Sequence, residues 1–215
     1  MQHSHRLVLM VLICLLVLLP EVASATIPRE AHLMQQQTGI EFKVAAAGSG
    51  YAVYARPNAT PSDTSNGGGG QTLTAQVTVR VAHAEGADRV EVSNVQSAVE
   101  GVFWQQRSRT DAPAEDPDAD YISFEYDYMI SNLSAIQWAT GQEVQLFTFE
   151  TSSSAGDLSL MENCNSFMAP NSANTNPGNQ IAVKGLNINN AYIGNYDVTT
   201  ASACSTDVYL PLINR

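Results

Sequence analysis

Three aspartates at alternate positions, Asp116, Asp118 and Asp120, form a concentrated set of hard oxygen donors in this 215-residue chain. An extended loop would turn all three to one side, where a cation such as Ca²⁺ could gather their oxygens together with backbone carbonyls. They belong to the segment Asp111-Ala-Pro-Ala-Glu-Asp-Pro-Asp-Ala-Asp120. Its five carboxylates and two prolines predict a loop too polar to enter a ladder. The glycine and terminal glutamate of an EF-hand loop are absent, so a solvated, proline-stiffened loop is the plainer alternative.

Aromatic side chains offer a second kind of site, because sugar rings stack on exposed Trp and Tyr. Trp138 and Tyr192 are the candidates for such a face, whereas Trp104 and Tyr126 sit in alternating runs and read as core. Catalytic sets are harder to assemble. A nucleophilic triad needs a base, and beyond the first 25 residues only His32 and His83 are present, both read as solvated. No spacing gathers the His, Cys or carboxylate ligands of a zinc site. The glycine run at 67–70 lacks the Lys-Ser/Thr that follows a phosphate-cradling loop. Two carboxylates some 5 to 10 Å apart would suffice for glycoside hydrolysis, so a glycan-active enzyme stands as an alternative to the expected absence of catalysis.

Residues 1–25 have the layout of a secretory signal: a basic start ending at Arg6, an apolar run from Leu7 to Leu19, Pro20, and an Ala23-Ser24-Ala25 cleavage site. Thirteen apolar residues make a helix of roughly 20 Å, short of a ~30 Å hydrocarbon core. The expected product is therefore exported, and is not inserted in a membrane once the signal is cleaved. Cleavage removes Arg6 and Glu21, one charge of each sign, and leaves the net charge of −11 unchanged. Lys43 and Lys184 are the lysines, which argues against nucleic acid or an anionic membrane as partner, since both need clustered cations. In an oxidising compartment Cys164 and Cys204 are expected to pair as a disulfide.

The elements that would position these groups are strands. Residues 26–38 read as a flexible leader. Ile40, Phe42 and Val44 alternate with polar residues, as does the run from Tyr51 to Arg56, and together they predict an opening hairpin. The glycine-rich segment from Asn58 to Gly70 reads as a long loop crossing between sheets. Val77, Val79 and Val81, then Val90, Val92 and Val95, predict a second hairpin.

The centre of the chain, Gly101 to Thr151, carries three patterned runs. Val102, Trp104, Gln106 and Ser108 are expected on one face of the first. Ile122, Phe124, Tyr126 and Tyr128 are expected on one face of the second, and the third is Val144 to Phe149. Further on, Asn163 to Asn195 holds ten asparagines in 33 positions, a density that favours turns, with short strands near Leu158 and Leu160, at Ile181 to Val183 and at Tyr192 to Val198. No amphipathic helical stretch interrupts this pattern. The reading is all-β: a single β-sandwich over 39–215, jelly-roll or Ig-like, with long polar loops.

The succession Val77-Thr-Val-Arg-Val81, Val90-Glu-Val-Ser-Asn-Val95 and Gly141-Gln-Glu-Val-Gln-Leu-Phe-Thr-Phe149 resembles the cohesin-type sandwich of secreted bacterial surface proteins. Ala112-Pro-Ala-Glu-Asp-Pro117, Asp120-Tyr-Ile-Ser-Phe124 and Leu146-Phe-Thr-Phe149 are similar to stretches of cohesin-like secreted proteins. The resemblance covers about residues 71–162 and implies a non-catalytic module for adhesion or assembly at the cell envelope or in an extracellular matrix. A carbohydrate-binding module is the second expectation. The expected partner is another protein, or a second copy, joined by strand addition through the leader at 26–38 or the apolar tail at 208–213, with a glycan as the other candidate.

Overall fold

A computed structural model describes residues 37–62, 69–152 and 158–196, all within one unit that begins at Gln37. The signal segment, most of the leader, Cys204 and the apolar tail lie outside the described residues. Ten strands follow one another: β1 (Ile40–Ala47), β2 (Gly50–Pro57), β3 (Thr72–Ala82), β4 (Val92–Ser97), β5 (Trp104–Asp111), β6 (Ala119–Tyr126), β7 (Val144–Thr151), β8 (Ser159–Leu160), β9 (Gln180–Val183) and β10 (Tyr192–Asn195). A single 3₁₀ turn, Gly86–Asp88, is the one helical element among the described residues. No helix among them is long and apolar enough to cross a membrane.

Two five-stranded sheets result. The first has the order β10-β1-β2-β7-β4, and the second β5-β6-β3-β8, with β9 also lying along β3. The fold is therefore an all-β sandwich. The opening hairpin forms as its alternation predicts, Phe42 facing Ala55 and Val44 facing Val53 across the β1–β2 ladder. The glycine-rich segment leads from β2 in the first sheet to β3 in the second, the crossing expected of it. All pairs are antiparallel except β1 with β10, which run parallel from Ile40↔Tyr192.

Two sequence expectations are corrected here. The valine runs at 77–81 and 90–95 do not form a hairpin: β3 pairs with β6, β8 and β9, while β4 pairs with β7 in the other sheet. The turn at 86–88 carries the chain across the sandwich, and alternation alone does not say which strand a strand meets. Ser108 also leaves the face of Trp104. A bulge between Gln106 and Ser108 places Ser108 opposite Ser123 and Arg109 opposite Ile122, so Arg109 takes the inward side.

The interior is an aromatic stack between the sheets. Phe124 lies 5.0 Å from Phe147 and 4.8 Å from Phe149, and Trp104 stacks on Phe147 at 4.7 Å. Val77, Val79, Val81 and Ile122 complete it from the second sheet, Phe42 and Val53 from the first, and all are fully buried. Strand β6 is covered on both faces. Its outward Ala119 and Tyr121 are packed beneath Met161 and Phe167 of the asparagine-rich segment. That segment is held by side-chain bonds, as its composition suggests: Gln76 Nε2 donates to the carbonyls of Asn176 and Gly178 at 2.8 and 2.9 Å, and Asn179 Nδ2 to that of Met161 at 2.7 Å.

Candidate functional site

The acidic segment is a tight hairpin end rather than an extended loop. Asp111 and Asp120 form the last pair of the β5–β6 ladder, so the ladder accepts both carboxylates after all. Turn bonds from Asp116 N to the Pro113 carbonyl and from Ala119 N to the Asp116 carbonyl fold the residues between. Arginines and a histidine make this possible. Asp120 is fully buried, and its oxygens accept from Arg109 Nη2 at 2.7 Å, from Ala112 N at 3.1 Å and share a 2.7 Å hydrogen bond with His83 Nδ1. Arg109 also reaches Asp111 and the Val90 carbonyl. Asp116 accepts from Arg80 Nε at 2.8 Å and from the Tyr121 hydroxyl at 2.6 Å. Asp118 stays exposed.

The three aspartates expected to converge on Ca²⁺ therefore point to three different surroundings. Two already have cationic or hydroxyl partners, and no cluster of three or more His, Cys, Asp or Glu suited to a metal occurs among the described residues. As placed, the three carboxylates do not share one coordination site. The extended conformation that alternation assumes gives way to a turn because Arg80 and Arg109 draw two of the carboxylates in opposite directions. His83, read as solvated, is half-buried against Asp120 instead. The electrostatics follow: the Arg80 guanidinium holds the Asp116 carboxyl below its usual range, and burial, reinforced by Asp116, pushes the Tyr121 hydroxyl up to about 12.

Trp138 and Tyr192 do not form an exposed aromatic face. Trp138 is buried, and its Nε1 donates to the Thr72 hydroxyl at 3.1 Å. Tyr192 packs on Phe42 with ring centroids 5.0 Å apart, and its hydroxyl donates to Asn195 Oδ1 at 2.7 Å. Both rings serve the core because their polar atoms find partners inside it.

Exposed apolar side chains gather elsewhere, at the end of the sandwich formed by the β4–β5 and β6–β7 connections. Phe103, Tyr128, Met129 and Ile130 are 47, 56, 76 and 61 % exposed. Their backbones are tied together: Asp127 N donates to the Phe103 carbonyl at 2.9 Å, Phe103 N to the Ser131 hydroxyl at 3.0 Å, and Asn132 N to the Gly101 carbonyl at 2.7 Å. Four such side chains present on the order of 500 Å² of largely apolar surface, near the upper end of what a monomer ordinarily leaves exposed. The sequence held a signal for this: Phe103 falls between the inward Val102 and Trp104, and Met129-Ile130 is an apolar pair outside any alternating run. Tyr128, expected to share the face of Tyr126, lies beyond the end of β6 and turns outward.

Each sheet has one irregular edge, at β4 and at β5. Strand β4 is interrupted by a register shift between Ser93 and Gln96, with Asn94 at φ 51°, and β5 by its own bulge beside the exposed Arg107. No family model, no curated protein and no solved structure matches this chain.

Proposed function

We propose that this chain is a secreted, non-catalytic β-sandwich module for adhesion or assembly at the cell envelope or in the extracellular matrix. In this reading it holds its partner through the end face built from Phe103, Tyr128, Met129 and Ile130. The observation that carries the reading is the convergence of these four exposed side chains from two connections that hydrogen-bond to each other. Glu100 and Asp127 flank them, and the chain as a whole carries −11. The matching partner is a protein segment with apolar side chains among cationic ones. An area of about 500 Å² falls short of the roughly 800 Å² per partner of a standard interface, which favours a short segment over a broad symmetric dimer. The bulged edge at β4 and the bulged, charged edge at β5 favour this face over strand addition at those two strands. The resemblance to cohesin-type sandwiches, which dock a protein partner through one sheet face, supports a protein as the partner but not this face in particular.

A peptide of alternating lysine and leucine is a suitable probe. The double substitution Phe103→Ser with Ile130→Ser should weaken its binding at least about tenfold while leaving the melting temperature little changed, because the side chains removed are exposed. Equal binding by the two proteins would refute the assignment.

A further inference from the structure

A second surface has a different chemistry. The outward faces of β5 and β6 present Ser108, Thr110, Ser123 and Glu125, and the segment Thr175–Pro177 rises beside them as a wall, enclosing a groove of about 320 Å³. The wall is fixed from below by Gln76, whose Nε2 holds the carbonyls of Asn176 and Gly178. The bulge in β5 makes this floor, since it turns Ser108 outward to face Ser123. The hydroxyls of Ser108 and Thr110 have no hydrogen-bond partner among the described residues, and Glu125 is partly exposed, 3.5 Å from Arg107.

The geometry points to a binding groove for a neutral saccharide. A volume of about 320 Å³ sits at the low end of small-ligand pockets, which span roughly 300 to 1,000 Å³. Its lining is polar where such pockets are usually apolar, so the ligand must offer hydroxyls to bond rather than methylenes to bury. Ser108 and Thr110 each donate once and accept, and Glu125 accepts from two hydroxyls. A carboxylate in the groove and a strongly acidic chain disfavour an anionic ligand. The groove is separate from Met129 and Ile130, so this inference stands independently of the partner-docking reading.

The test is a titration of isotope-labelled protein with cellotriose, xylotriose, maltotriose and chitotriose, followed by amide shifts. At least one of these sugars should perturb β5, β6 and residues 175–177 at millimolar concentration, and Glu125→Gln or Thr110→Ala should weaken it about tenfold, the loss expected when a hydrogen bond to a charged or paired group is removed. Met129→Ser with Ile130→Ser should leave sugar binding unchanged. No perturbation by any of the four sugars, or binding that ignores both groove substitutions, would overturn the inference.

Discussion

Arg109 Nη2 donates to Asp120 Oδ2 at 2.7 Å, and the Asp120 side chain is fully buried while that of Arg109 is 9 % exposed. This contact turns an acidic loop into a closed end of the sandwich. Asp120→Ala would leave the guanidinium buried without its main counter-charge, at a cost of about 3 to 5 kcal/mol. Asp118→Ala removes an exposed carboxylate and should stay within about 0.5 kcal/mol. Urea unfolding of both variants checks this, and similar losses would contradict it.

Two tyrosines give opposite expectations for the same substitution. Tyr126 is buried and its hydroxyl makes no well-formed hydrogen bond among the described residues, with only the Ser131 side chain near it, whereas the Tyr192 hydroxyl donates to Asn195 and accepts from Asn179 Nδ2 at 3.3 Å. Tyr126→Phe should therefore be neutral or stabilising. Tyr192→Phe removes the donor to Asn195 Oδ1 and leaves Asn179 Nδ2 with the Met161 carbonyl alone, and should cost about 1 to 3 kcal/mol. Thermal melts of the pair decide the matter by the sign of their difference.

Stability should fall at both ends of the pH range. The bond to Arg80 lowers the Asp116 carboxyl, and the bond to Lys43 lowers that of Glu143. Their stabilisation is complete above the unfolded carboxylate range, about pH 4, and is lost as pH falls through the lower folded values. Burial raises Tyr121 and Tyr192 from 10.0 to about 12. A raised value stabilises below the unfolded one, so that contribution is present up to about pH 10 and disappears between there and about pH 12. Melting temperature against pH should show both declines, and Tyr192→Phe should soften the alkaline one.

Much of the fold was legible in the sequence, while the candidate sites were less so. Val77, Val79 and Val81, or Ile122 and Phe124, announce strands because side chains two apart share a face. Pairing is not written in that alternation, which is why β3 and β4 read as a hairpin although they belong to different sheets. The acidic segment misled for a related reason. The partners of Asp116 and Asp120 on β3 and beside it, Arg80 and His83, lie 36 and 37 residues away, beyond any local pattern. Burial of Trp138 and Tyr192 likewise depends on Thr72 and Asn195 reaching their polar atoms.

The proposed export predicts that Cys164 is bonded to Cys204, a residue outside those described. A loop of about 40 residues closed in this way contributes roughly 4 kcal/mol on the chain-entropy account. Iodoacetamide should add nothing to the non-reduced, signal-free protein, and reductant should lower its melting temperature. Two alkylated thiols without reductant would refute the pairing.

Amide shift mapping with the lysine–leucine peptide reports where the partner chemistry lands. Perturbations should be confined to residues 101–103 and 127–132 and be lost in the Phe103→Ser, Ile130→Ser protein. Perturbations centred on the β4 or β5 edge, or none at a peptide concentration that saturates other acidic apolar surfaces, would contradict docking at the end face.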